Sequence, residues 1–135
     1  MNLTKLLFEP TLVRSPLRVV QWWESRRLMY NAIVGGVGLF TLTYVFLLER
    51  FLFDPGPFKL VNFVIGAFAY GLVANACYTA GWIVENVVER WMKRPVYGLG
   101  PALFRHGLVF SVGLTLLPVA VITIAAIGSL IFGGR

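Results

Sequence analysis

His106 is the only histidine in the chain, and it stands just inside the third long apolar run. A neutral imidazole there could ligate a haem or a chlorophyll. One histidine cannot provide a two-histidine site within one chain, and no cysteine or methionine is well placed to help. Flanked by Phe104 and Arg105, His106 reads first as an interfacial anchor or capping residue and second as a cofactor ligand. The other candidates are Asn75, Tyr78, Trp82, Glu85 and Glu89, whose spacing of three and four residues keeps them on one side of a helix. Such a polar stripe could line a proton path or a pore. A carboxylate deep in hydrocarbon would mark a functional site by default. Glu85 falls at the cytoplasmic end of the span expected below, where a charge is tolerated. The preferred reading is therefore structural: hydrogen bonds to a neighbouring helix and an interfacial ion pair.

No Ser/His/Asp set, H-E-x-x-H, phosphate-binding loop or pair of intramembrane carboxylates is present. Cys77 is the only cysteine, which excludes an intramolecular disulfide and any C-x-x-C metal site. The expectation is a protein that is not an enzyme, with no catalytic residues, metal or cofactor.

Composition points to a membrane. Of 135 residues, 58% are hydrophobic and 13% charged, and the mean hydropathy is +0.77. Soluble domains carry about 25% charged residues, and a chain this short has too little interior to hide so much apolar surface from water. The net charge of +6 could signal nucleic acid, but the basic residues gather in alternate loops, the pattern of membrane orientation. Nucleic acid is not an expected partner. The opening MNLTKLLFEP is too short in its apolar stretch, and too interrupted by Glu9 and Pro10, to act as a secretory signal.

Three spans emerge, in one membrane domain covering residues 1–135. The first is 28–48, about the 20 residues a helix needs to cross hydrocarbon. DPGP, Asp54 to Pro57, supplies the turn. The second is 60–84, with the helix continuing to about residue 94. There Val84, Val87, Val88 and Trp91 alternate with charged residues as an amphipathic helix entering the cytoplasm, and Pro95 ends it. The third is 107–132, preceded by Pro101, which suits a first helical turn, and interrupted by Pro118, which should kink it or loosen its bonding. Before the first span, Ser15 and Pro16 read as N-cap and N1 of a short amphipathic helix lying at the interface. On that reading WWESRRLMYN, residues 22–31, is an elbow: Trp22 and Trp23 at headgroup depth, Arg26 and Arg27 toward water, Tyr30 and Asn31 entering the core. A continuous tilted helix is the alternative. The fold class is thus an all-α integral membrane protein. It has three transmembrane helices, an N-terminal interfacial helix and a second helix that extends into the cytoplasm.

Within the membrane, close packing of small residues and polar contacts hold helices together. Asn31, Ala32, Gly35, Gly36 and Gly38 give the first span a bare face. Ala67, Gly71, Asn75 and Thr79 repeat every four residues on the second. These two faces are expected to meet within the chain rather than to dimerise. Because the first two spans are antiparallel neighbours, Arg26 or Arg27 should pair with Glu85 or Glu89 at the rim. The alternative is that both arginines face lipid phosphates. Expected partners are membrane lipids, together with other membrane-protein subunits or copies of the chain itself. The expected role is an accessory or scaffold subunit of a larger inner-membrane complex, and the alternative is a homo-oligomeric pore or membrane-disrupting effector.

Lys and Arg number five before the first span, two in the first loop, four in the second and one at the end. Positive-inside bias places the N-terminus inside and the C-terminus outside a bacterial inner membrane. A reporter active only in the cytoplasm, fused after Arg135, should therefore be silent; activity would reject the span count or the orientation.

Overall fold

Three helices, α1 (Pro16–Leu52), α2 (Pro57–Met92) and α3 (Leu99–Phe132), make up the computed structural model, which describes residues 15–52, 57–94 and 96–132. Each is long and apolar enough to cross a membrane. At 1.5 Å per residue, their 37, 36 and 34 residues measure about 55, 54 and 51 Å, well beyond a hydrocarbon layer of about 30 Å.

Local chemistry sets the ends. Ser15 caps α1: its hydroxyl accepts from the Arg18 N–H at 3.3 Å and its carbonyl from the Val19 N–H at 3.0 Å. Pro16 follows in the first turn, where its missing N–H has no intrahelical partner to lose. α2 stops at Met92, with Lys93 at φ +52°, the left-handed conformation that closes many helices. Gly98 takes φ +94° before α3, and its carbonyl accepts from the Ala102 N–H at 3.0 Å. The expected Asp54–Pro57 turn lies outside the described residues except for Pro57, which opens α2. Pro95 also lies outside them.

The interfacial helix and the elbow are not separate elements. α1 runs unbroken from Pro16 through residues 22–31 to Leu52. After Pro16 no proline or glycine occurs before Gly35, so nothing in this stretch weakens the backbone ladder. Nor do Trp22 and Trp23 point outward as anchors. They are 8% and 2% exposed and pack with Val19, Tyr30, Val34, Tyr78 and Phe104 in the core cluster. α3 continues through Pro118 as one helix.

α1 lies more extensively along α3 than along α2, its neighbour in sequence. The α2 extension is present, and its polar side, which the sequence reading set against a neighbouring helix, turns inward. Glu85 is the buried residue, at 3% exposed, while Val84, Val87 and Trp91 are exposed, Trp91 to 84%. The pull of Trp23 on Glu85, described below, sets that rotation.

Two glycine substitutions test the chain path. Gly98→Ala forces a side chain into a left-handed position and should cost about 1–2 kcal/mol. Gly107→Ala, in the interior of α3 with open space where its Cβ would lie, should gain about 0.5–1 kcal/mol. Thermal unfolding of the two variants in one detergent should move in opposite directions.

Candidate functional site

The chemistry-bearing residues concentrate where the start of α1, the end of α2 and the start of α3 come together. Trp23 is the hub. Its indole Nε1–H donates to Glu85 Oε2 at 2.7 Å, and its carbonyl accepts from the Tyr78 hydroxyl. Its ring stands edge-on to Tyr78 and Phe104, with centroids 5.2 and 6.0 Å away. Gly81 makes room for it: a Cβ there would lie 2.6 Å from Trp23 Cη2. Glu85 in turn reaches α3. A Cβ on Gly100 would lie 2.5 and 2.7 Å from the two carboxylate oxygens. Four residues on, Glu89 Oε1 accepts from the Val96 N–H at 3.2 Å, so both glutamates of the α2 extension hold the approach to α3.

The expected arginine–glutamate pairing does not form among the described residues. Arg27 instead pairs with Glu24 on its own helix, Nη2 to Oε1 at 2.7 Å, and donates from the same nitrogen to Thr79 Oγ1 at 3.1 Å. Arg26 is buried, donates from Nη1 to the Trp22 carbonyl at 2.9 Å and to Ser25 Oγ at 3.1 Å, and lies over the Trp22 ring at 4.0 Å. The reason is competition. The indole of Trp23 occupies Glu85 from the face of α1 that an arginine would have to use, and an aromatic ring fills the buried space better than a long cation.

Deeper in the bundle, hydroxyl groups tie α3 to its neighbours. Tyr30 Oη and Ser111 Oγ share a hydrogen bond of 2.8 Å. The Tyr70 hydroxyl donates to the Ser111 carbonyl at 2.8 Å. Thr41 Oγ1 donates to the Thr115 carbonyl at 3.0 Å, in the turn that Pro118 deprives of an N–H. Tyr44 and Thr123 meet at 2.9 Å. Of these, only Tyr30 figures in the sequence reading, and then for its depth alone. A signal was available: Gly100, Phe104, Ser111, Thr115 and Ala126, the buried residues of α3, recur at spacings of four, seven and eleven, which keeps them on one helical face.

Among the described residues Asn75 does not bond a neighbouring helix; its Nδ2 donates to the Gly71 carbonyl one turn back, at 3.1 Å. The glycine faces of α1 and α2 do not meet either. Gly35, Gly36, Gly66 and Gly71 have open space where a Cβ would be. Between them lies a cavity of about 850 Å³, walled by Asn31, Gly35, Gly38, Gly66, Gly71 and Asn75 and floored by Thr115 and Pro118 of α3. At the basic end α1 and α2 are in contact, Trp23 against Gly81 and Arg27 bonded to Thr79; further along, the glycines leave the gap unfilled.

His106 is exposed and hydrogen-bonded through Nδ1 to the Ala102 carbonyl at 2.8 Å. Cys77 is exposed. No group of three His, Cys, Asp or Glu side chains that could hold a metal ion occurs among the described residues. Compared with known proteins, the chain matches no protein family, no curated sequence and no solved structure.

The Trp23–Glu85–Gly100 contact should behave as one unit. Trp23→Phe removes one donor from a buried carboxylate and should cost about 1.5–3 kcal/mol. Gly100→Ala displaces the same carboxylate. In a double-mutant cycle the pair should cost less than the sum of the single variants by at least about 0.5 kcal/mol, the coupling expected for residues sharing a partner. Additive losses would separate the two contacts.

Proposed function

We propose that this chain is a non-enzymatic, three-span membrane protein that serves as an accessory or scaffold subunit of a larger assembly, acting by binding rather than by chemistry. The observation that carries this reading is the exposed apolar stripe of Val84, Val87 and Trp91 on α2. It prolongs an exposed apolar face that begins at Val61. From Val61 to Trp91 that face is about 45 Å long at 1.5 Å per residue, longer than the roughly 30 Å a bilayer can cover. The excess lies at the basic end of the bundle, at i, i+3 and i+7, the spacing by which one helix packs on another. A partner subunit covers it in this reading. The buried polar groups agree with a binding role, since Glu85, Tyr78, Tyr30 and Ser111 already hold the three helices together. They also weigh against the alternative of a homo-oligomeric pore, because hydroxyls bonded between helices do not line a wet passage.

The setting proposed with it is the bacterial inner membrane, with the basic end inside and the C-terminus outside. Purification from native membranes in a mild detergent should bring down other polypeptides with the chain. Trp91→Ala combined with Val87→Ala should release them while leaving the thermal stability of the isolated chain within about 0.5 kcal/mol, as for exposed positions generally. A uniform particle of this chain alone would favour the pore; retention of partners by the double variant would move the docking face elsewhere.

A further inference from the structure

The cavity between α1 and α2 carries carboxamides at both ends: its middle is walled by glycine and apolar side chains, and Asn62 stands at the end away from the basic rim. At the end nearer the basic rim stand two carboxamides, Asn31 and Asn75. Asn31 makes no hydrogen bond among the described residues and its polar atoms are not buried, and Asn75 spends one N–H on its own helix. One turn further, about 6 Å on and beyond the residues that line the cavity, Arg27 Nη2 bridges to Thr79 and pairs with Glu24. That leaves Arg27 Nη1 without a hydrogen bond among the described residues, and, unlike Nε, it is not buried. From Asn31 to Leu42 the α1 wall runs about 16 Å. The volume of about 850 Å³ falls within the range of sites that hold a small organic ligand, roughly 300–1,000 Å³.

We infer that this cavity binds one anionic glycerophospholipid: an acyl chain lies along the glycine walls, an ester carbonyl meets Asn31 and Asn75, and the phosphate meets Arg27. Toward the basic rim, tail, ester and phosphate follow the glycine walls, the carboxamides of Asn31 and Asn75, and the Arg27 guanidinium just beyond the lining, with Asn62 at the opposite end. Charge selects the headgroup. The rim carries Arg18, Arg90, Lys93, Arg94 and Arg105, all exposed, and basic surfaces of this kind attract anionic lipid. Glycines explain the tail, because any larger residue at 35, 66 or 71 would project into the space the chain occupies. The inference goes beyond the accessory role, whose docking face is the Val84–Trp91 stripe on another side of α2.

A phosphatidylglycerol with a photoreactive diazirine in its acyl chain tests this on the isolated full-length chain, reconstituted in phosphatidylcholine nanodiscs. Labelling should map to residues 31–42 and 62–75 several-fold above the outer face of α3 at Phe110, Val121 and Ile124. Unlabelled phosphatidylglycerol should compete and phosphatidylcholine should not. Arg27→Gln should raise the competing phosphatidylglycerol concentration about tenfold, what one charge-assisted hydrogen bond is worth. Gly35→Leu with Gly71→Leu should lower cavity labelling to the level of the outer face. Even labelling of all lipid-facing residues, or equal competition by phosphatidylcholine, would overturn the site. Either result is read from the wild-type chain alone, so a variant that misfolds does not blunt the test. Because no partner is present, failure here leaves the accessory role standing, and co-purification can fail without affecting the lipid.

Discussion

The hydrogen bond from Trp23 to Glu85 is the constraint on which the arrangement of the three helices rests. A carboxylate at 3% exposure needs a donor, because leaving it without one inside the bundle costs several kcal/mol. The indole supplies it at 2.7 Å and brings a large ring that Gly81 alone can accommodate on α2. The same carboxylate rests on Gly100, where α3 begins. One polar contact thus sets the rotation of α2, the depth of α1 and the start of α3. The rotation of α2 follows directly: with Glu85 turned inward, Val84, Val87 and Trp91 must turn outward.

Along the bundle the means of cohesion changes. At the basic end, aromatic rings form a packed core of a kind familiar in soluble proteins. About 20 Å of each helix is surplus to a hydrocarbon layer of about 30 Å, and where water is near, burying rings drives association. Further along, hydroxyls of Tyr30, Thr41, Tyr44 and Tyr70 reach α3, the kind of contact that matters when lipid removes the hydrophobic drive between helices. Between α1 and α2 such contacts stop at Tyr30 and Arg27, and beyond them the glycines leave a cavity unfilled.

Two features stay outside the packing of the bundle: the exposed apolar ridge of Val84, Val87 and Trp91 on α2, and the half-open recess between α1 and α2.

Much of the architecture was legible in the sequence. Three runs of apolar residues, Ser15-Pro16, Pro57 and Pro101 marked helices, a cap and helix starts, because hydropathy and backbone restriction are local properties of the residues themselves. What local patterns could not decide was which face of each helix turns inward. The glycines of α1 and α2 looked like a packing seam, yet they line a cavity and have open space where a Cβ would be. Arg26 and Arg27 looked like partners for Glu85, yet an indole from the same helix reached it first. Residues 22–31 looked like an elbow, although no proline or glycine was there to make one. The sequence by itself determined the number and apolar character of the helices. The tertiary structure alone decided the partner of Glu85, and with it the rotation of α2 and the place of the cavity, because a buried carboxylate goes to whichever donor the packing of all three helices brings within hydrogen-bonding distance.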